Sequence, residues 1–220
     1  MPSGRFSLIA VRIGYVEMYD VKTGFTHEPA ASENYEWYTP RQIFDALGLE
    51  FDLDVCSPGA DIVSWIPADR HLTIMEDGLK SEWKGRCWCN PPYGKETGLW
   101  LSKLRDYGNG IALVMSRTDT RWFHANVPYA EAVCFLDKRI SFVPWLKAAE
   151  YAEGSFDPRY DYWVHMDGRE RKGNAGAGSI LVGYGKDNVG PIMNCGLGWC
   201  VKNSRARSKR VGSLFERAGS

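Results

Sequence analysis

The chain has no excess of either charge, with 27 Lys and Arg against 27 Asp and Glu. That balance excludes a blanket of positive charge, so any contact with a polyanion must come from a local patch. No apolar run reaches membrane-spanning length and the first residues lack a compact signal-peptide core, which points to a cytoplasmic protein with no membrane partner. Six cysteines, Cys56, Cys87, Cys89, Cys134, Cys195 and Cys200, show no paired Cys-x-x-Cys spacing. They read as reduced, buried thiols, and no metal is expected. A full Gly-x-Gly-x-x-Gly is also missing, which removes the common dinucleotide fingerprint.

What remains is a globular composition. At 220 residues with 44% hydrophobic side chains, the chain suits one domain with modest extensions. Residues 1–30 read as an N-terminal extension in which Ile9, Val11, Ile13 and Tyr15 alternate as in a strand or hairpin. Residues 31–186 form the main domain, and residues 187–220, with Lys202, Arg205, Arg207, Lys209 and Arg210, read as a basic, flexible tail.

Within the main domain, Thr39 is a candidate N-cap and Pro40 suits the first turn of a helix whose Ile43, Phe44 and Leu47 share one face and which Gly48 ends. Phe51 to Cys56 reads as a short strand that exits into Ser57-Pro58-Gly59-Ala60. Thr97 to Tyr107 reads as a helix with Leu99, Trp100 and Leu104 buried. Gly110 to Met115 is a continuous apolar run, as for a strand covered on both faces. Its exit, Ser116 to Thr120, leads into a helix through Trp122, and further strands follow at Ala132–Leu136 and at Ser179–Tyr184, the latter closing the sheet. Residues 144–177 are rich in Gly, Asp, Arg and Tyr without a clean period, the mark of a functional irregular stretch. This alternation of strands and helices predicts an α/β fold with a central, mostly parallel sheet flanked by helices.

The most informative stretch is Cys87-Trp88-Cys89-Asn90-Pro91-Pro92-Tyr93-Gly94. Prolines cannot donate to a sheet ladder, so the strand stops at Asn90, and strand ends of open α/β sheets are where ligands bind. The Asn90 carboxamide and the Pro91 carbonyl are two rigid, neutral acceptors, and Tyr93 offers a flat face beside them. Such a set suits an exocyclic amine on a planar ring. Two acceptors on its hydrogens would localise the nitrogen lone pair and stabilise the positive charge that grows as nitrogen attacks an electrophile. Read as residues alone, the motif is equally a Pro-Pro turn with a core tyrosine.

Asn90-Pro91-Pro92-Tyr93 resembles the catalytic motif of amino-directed, S-adenosylmethionine-dependent methyltransferases. Joined in order by Trp37-Tyr38-Thr39-Pro40, Asp54, Asp77-Gly78-Leu79 with Trp83, and Arg117-Thr118-Asp119-Thr120 with Trp122-Phe123, it resembles the compact phage- and prophage-type Dam family of DNA N6-adenine methyltransferases over roughly residues 36–185. The resemblance implies a Rossmann-like class I methyltransferase fold over 31–186, S-adenosylmethionine as cofactor, and double-stranded DNA as partner, with a GATC-like target. It implies catalytic roles for Asn90, Pro91, Pro92 and Tyr93, and cofactor contacts from Tyr38, Thr39, Pro40, Asp54, Cys56, Ser57, Asp77, Gly78, Leu79 and Asn90. Contacts with DNA fall to Arg117, Thr118, Asp119, Arg139, Arg169, Arg171 and Lys172. Each has a plainer alternative: Asp54 could cap a turn, Asp77 before Gly78 could be a surface turn, and Arg117 could pair with Asp119. The motif does not separate adenine N6 from cytosine N4, RNA adenine or a protein glutamine, and a catalytically silent nucleic-acid-binding module is a further reading. The cofactor loop lacks the Phe-x-Gly-x-Gly of larger relatives. Only 90 − 54 = 36 positions separate Asp54 from Asn90, too few for two full strand-helix units, so an abbreviated core is expected between them.

Overall fold

The computed structural model describes residues 36–172 and 175–204. The expected extension over 1–30 and the last residues of the expected tail lie outside the described residues.

The chain opens on β1 (Trp37–Tyr38) and α1 (Arg41–Leu47). Then come β2 (Phe51–Asp54), β3 (Ala68–His71), β4 (Cys87–Cys89), α2 (Thr97–Tyr107) and β5 (Gly110–Met115). After α3 (Arg121–Asn126) and β6 (Ala132–Leu136) come β7 (Val143–Pro144) and α4 (Ala148–Ala152). A short hairpin, β8 (Trp163–Val164) and β9 (Glu170–Arg171), precedes β10 (Ser179–Tyr184), α5 (Val189–Asn194) and β11 (Gly198–Lys202).

One seven-stranded sheet in the order β11-β6-β10-β5-β4-β2-β3 forms the centre. The pairs β2·β3, β2·β4 and β4·β5 are parallel, whereas β10·β5, β10·β6 and β11·β6 are antiparallel. The sheet is therefore mixed, where a mostly parallel one was expected. The cause is two reversed strands: β11 at the edge beside β6, and β10, which enters between β5 and β6 and lies inside the sheet, where it was expected to close it. Its six residues are all buried, and its unbroken apolar run Ile180-Leu181-Val182 fits an interior strand.

The expected abbreviation is present. Among the described residues no α-helix intervenes between β2 and β3 or between β3 and β4; turns make both connections. The first full crossover is α2, from β4 to β5. Its buried stripe is Thr97, Trp100, Leu101 and Leu104. Leu99 is exposed, contrary to expectation, because Trp100 and Leu104 set the inward face and Leu99 falls outside it.

Two further expectations are corrected. Helix α1 begins at Arg41 with Pro40 in extended conformation before it, and no side chain caps it; Thr39 turns inward and is fully buried. Gly48 does end the helix, in the left-handed region at φ 59, donating its N–H to the Phe44 carbonyl as a left-handed C-terminal cap does. Residues 187–202, expected as flexible tail, instead contain α5, with Ile192 fully buried, and β11, whose five residues pair with β6. Val189, Ile192, Cys195, Leu197 and Cys200 of this segment join the core on one face of the sheet, while Trp199 stacks on Phe135 and stays exposed.

Candidate active site

Strands β2, β4, β5 and β6 all run the same way, so their carboxyl ends share one rim, joined by the amino end of β10. Asp54 closes β2 in register with Trp88 of β4, and Asn90 follows β4 directly. Two strand exits that lie 36 positions apart in sequence thus become neighbours, and a parallel sheet makes that neighbourhood a ligand site.

At the β4 exit, Asn90 Nδ2 donates to the Trp37 carbonyl at 3.2 Å. That bond sets the amide orientation: a flipped group would place its oxygen against the carbonyl oxygen. Asn90 Oδ1 is consequently the acceptor of the site, and the Tyr93 hydroxyl lies 3.3 Å from it. The Tyr93 ring is partly buried and meets Phe142 edge-on at 6.3 Å. Burial pushes the Tyr93 phenol well above its usual pKa, so it stays neutral. Thr97 holds the turn closed by donating to the Pro92 carbonyl at 3.0 Å while accepting from Gly94 N–H at 3.1 Å.

Beside it, the β1 segment brings Thr39 to the same neighbourhood through Trp37. Thr39 Oγ1 is buried and has no hydrogen-bond partner, while its carbonyl accepts from Trp65 Nε1 at 2.8 Å. A buried hydroxyl left unpaired costs about 1–3 kcal/mol, and a polar ligand at the rim would remove that cost. Tyr38 is a core residue, tilted on Trp65, with its hydroxyl donating to Glu36 at 2.6 Å. Pro40 stands at the start of α1.

The β2 exit is a closed polar knot. Asp54 is buried; one oxygen accepts from the Cys56 N–H at 3.2 Å and the other lies 3.6 Å from His71 Nδ1. His71 Nδ1 is 2.9 Å from Ser57 Oγ, which also accepts from the Gly59 N–H at 3.1 Å. Burial, reinforced by the Asp54 charge, raises the Cys56 thiol pKa, so Cys56 is a neutral wall. His71, at the end of β3, was not anticipated from sequence, since no motif marks it; only the pairing of β2 with β3 brings it to Asp54.

Asp77 sits in a turn. It has φ 51, lies half exposed and pairs with Lys80 at 2.7 Å, and the hydrogen bond from Lys80 lowers its carboxyl pKa. Gly78 touches the β2 exit: a Cβ there would collide with the Val55 carbonyl oxygen and stand 2.9 Å from the Trp100 ring. Lys103, a second residue missed in the sequence, donates to the carbonyls of Gly78, Leu79 and Ser81 at 3.0, 2.9 and 2.5 Å. It fixes this loop to α2, with Trp83 beneath its ammonium at 4.6 Å.

Of the expected DNA contacts, Arg117, Thr118 and Asp119 follow β5 at the rim, and Thr118 and Asp119 are exposed. Thr120 caps α3, accepting from the Phe123 N–H. Exposed Arg139 follows β6 and reaches the Ala175 carbonyl at 3.5 Å. Arg169, Arg171 and Lys172 belong to the β8–β9 hairpin, whose root Trp163 packs edge-on against Trp37 at 5.8 Å, so the hairpin leans on the residue that orients Asn90. Asp167 gathers this hairpin, meeting Arg171 at 2.8 Å and His165 at 3.0 Å. Two surface grooves lie elsewhere, one against β11 and one at the amino ends of β2 and β4.

Residues 26–158 match the family described as DNA N-6-adenine-methyltransferase (Dam). No curated protein and no solved structure gives a significant match.

Proposed function

The chain belongs to the Dam family of DNA N-6-adenine methyltransferases, and from that premise we propose how its own residues transfer a methyl group from S-adenosylmethionine to N6 of adenine in DNA. The observation that carries the reading is the Asn90 hydrogen bond to the Trp37 carbonyl, which leaves Oδ1 as a preset acceptor. Asn90 Oδ1 and the Pro91 carbonyl accept the two hydrogens of the adenine amine, drawing its lone pair onto nitrogen. The Tyr93 hydroxyl swings from Oδ1 as the amine takes its place, and the ring stacks on the base. That requires the base to leave the duplex, at a cost of a few kcal/mol. No strong base is needed, because the proton is lost only after nitrogen has gained its fourth bond.

Bound S-adenosylmethionine supplies an electrophilic methyl group on a sulfonium. Thr39, with its unpaired buried hydroxyl, and the knot of Asp54, Cys56 and Ser57 are the residues that would hold it. Asp77 contributes through the turn that places Gly78 and Leu79 against the β2 exit. Pro92 and Pro40 act as rigid spacers. The five strands sharing one direction, with ligand-facing exits on one rim, support the Rossmann-like class I reading. Arg117, Thr118, Asp119, Arg139, Arg169, Arg171 and Lys172 line the face proposed for double-stranded DNA, and the cytoplasm is the proposed location. Mapping methyladenine in the DNA of a methylation-free host expressing the chain tests the whole: N6-methyladenine in a defined context is expected, and its absence together with methyl transfer to cytosine, RNA or protein would overturn it.

A further inference from the structure

Three of the cysteines that look unrelated in sequence meet in space. Cys134 lies mid-strand in β6, Cys200 lies directly opposite it in β11, and Cys195 caps the end of α5. Their sulfur atoms lie within 4.8 Å of one another, and those of Cys195 and Cys134 are 3.8 Å apart. That spacing is the edge of a tetrahedron with metal–sulfur bonds of about 2.3 Å, as zinc makes with thiolates. The connection that brings Cys195 round to Cys200 is also specialised: Gly196 has φ 66, and at Gly198 a Cβ would collide with the Phe135 carbonyl oxygen and stand 2.7 Å from the Asp137 nitrogen. Cys134 and Cys195 are buried and Cys200 is half-buried, so the cluster is shielded but has an entry side. The Ile192 carbonyl oxygen accepts from the Cys200 thiol at 3.1 Å, which puts a hard oxygen ligand beside the cluster. Among the described residues no further His, Cys, Asp or Glu joins the group.

We propose that Cys134, Cys195 and Cys200 form a zinc site, its fourth position filled by the Ile192 carbonyl or a water molecule, which staples α5 and β11 to β6. Soft thiolates select zinc over the hard divalent ions. The site lies away from the rim that carries Asn90, so its role is to hold the edge of the sheet, and ion binding adds directly to folding free energy. Cys195 and Cys200 also lie beyond the residues matched by the family, and the inference does not rest on the methyl-transfer reading.

The test uses the full chain, purified reduced and stripped with a chelator, then titrated with zinc against a chromophoric competitor, with metal content measured after desalting. A single zinc ion retained per chain, a raised unfolding temperature, and thiolate-to-cobalt charge-transfer absorption on cobalt substitution are expected. Cys195→Ser and Cys200→Ser should each weaken retention at least tenfold, while Cys87→Ala, outside the cluster, should not. Failure of the stripped parent chain to retain zinc would overturn the site whatever the variants do. So would equal retention by both serine variants, or a disulfide joining two of the three cysteines in the isolated protein.

Discussion

At Asn90, one carboxamide performs two jobs: its nitrogen is spent on the Trp37 carbonyl, so its oxygen is committed to accepting. Asn90→Ala should cut methyl transfer at least a hundredfold, about 2.7 kcal/mol of transition-state stabilisation, with cofactor affinity held within several-fold. Steady-state turnover within tenfold of the parent would remove Asn90 from the role of amine acceptor. Tyr93 separates ring from hydroxyl. Tyr93→Phe loses one 3.3 Å contact and should keep most activity, since a neutral hydrogen bond contributes about 0.5–1.5 kcal/mol net. Tyr93→Ala also loses the face proposed to stack the base, about 1–3 kcal/mol, together with the packing on Phe142. Equal damage from both substitutions, measured as kcat/KM on one duplex, would assign the function to the hydroxyl.

The β8–β9 hairpin is the element whose charges carry the DNA argument. Arg171 is already paired with Asp167 at 2.8 Å, whereas Arg169 lies 3.9 Å away and is largely exposed. Replacing Arg169, Arg171 and Lys172 together should weaken DNA binding and flatten its salt dependence by up to about 0.9 per lost phosphate contact, with Arg169 and Lys172 giving most of the change. An unchanged slope in a salt titration would move the contact elsewhere. Asp167 also sets an acid limit. The Arg169 backbone N–H, then His165 and Arg171, hold its pKa down to about 2. A depressed carboxylate stabilises above its unfolded pKa, about 3.9, and the contribution fades as pH falls from there through about 2. Amide chemical shifts of the hairpin should therefore move in that window for the parent and not for Asp167→Asn.

For the whole molecule, the sheet extends further toward the C-terminus than a basic, flexible tail from residue 187 onward implies. Cutting the chain after Asp187 removes the fully buried Ile192 and the edge strand β11. Burial of one such side chain stabilises by about 1.5–3 kcal/mol, and a domain has only about 5–15 in total. The truncated chain should unfold at markedly lower urea and bind DNA poorly for that reason alone. Cutting after Ser204 leaves both elements in place and should change the midpoint little. Equal midpoints for the two truncations would show that β11 does not hold the edge.

Elements marked by strong local signals were legible from residues alone: Thr97–Tyr107, Gly110–Met115, Ala132–Leu136 and Ser179–Tyr184 have their expected bounds, because continuous apolar runs and a Gly-ended helix need no distant partner to declare themselves. The Asn-Pro-Pro-Tyr motif was legible for the same reason, since two prolines end a strand wherever it lies. Folding supplied what depends on pairing between distant segments. The reversed β10 inside the sheet, His71 beside Asp54, Trp37 orienting Asn90, and three cysteines spread from 134 to 200 within one cluster all follow from how distant segments pack together. Periodicity reports which face of a segment is buried, and it carries no term for which segment covers that face.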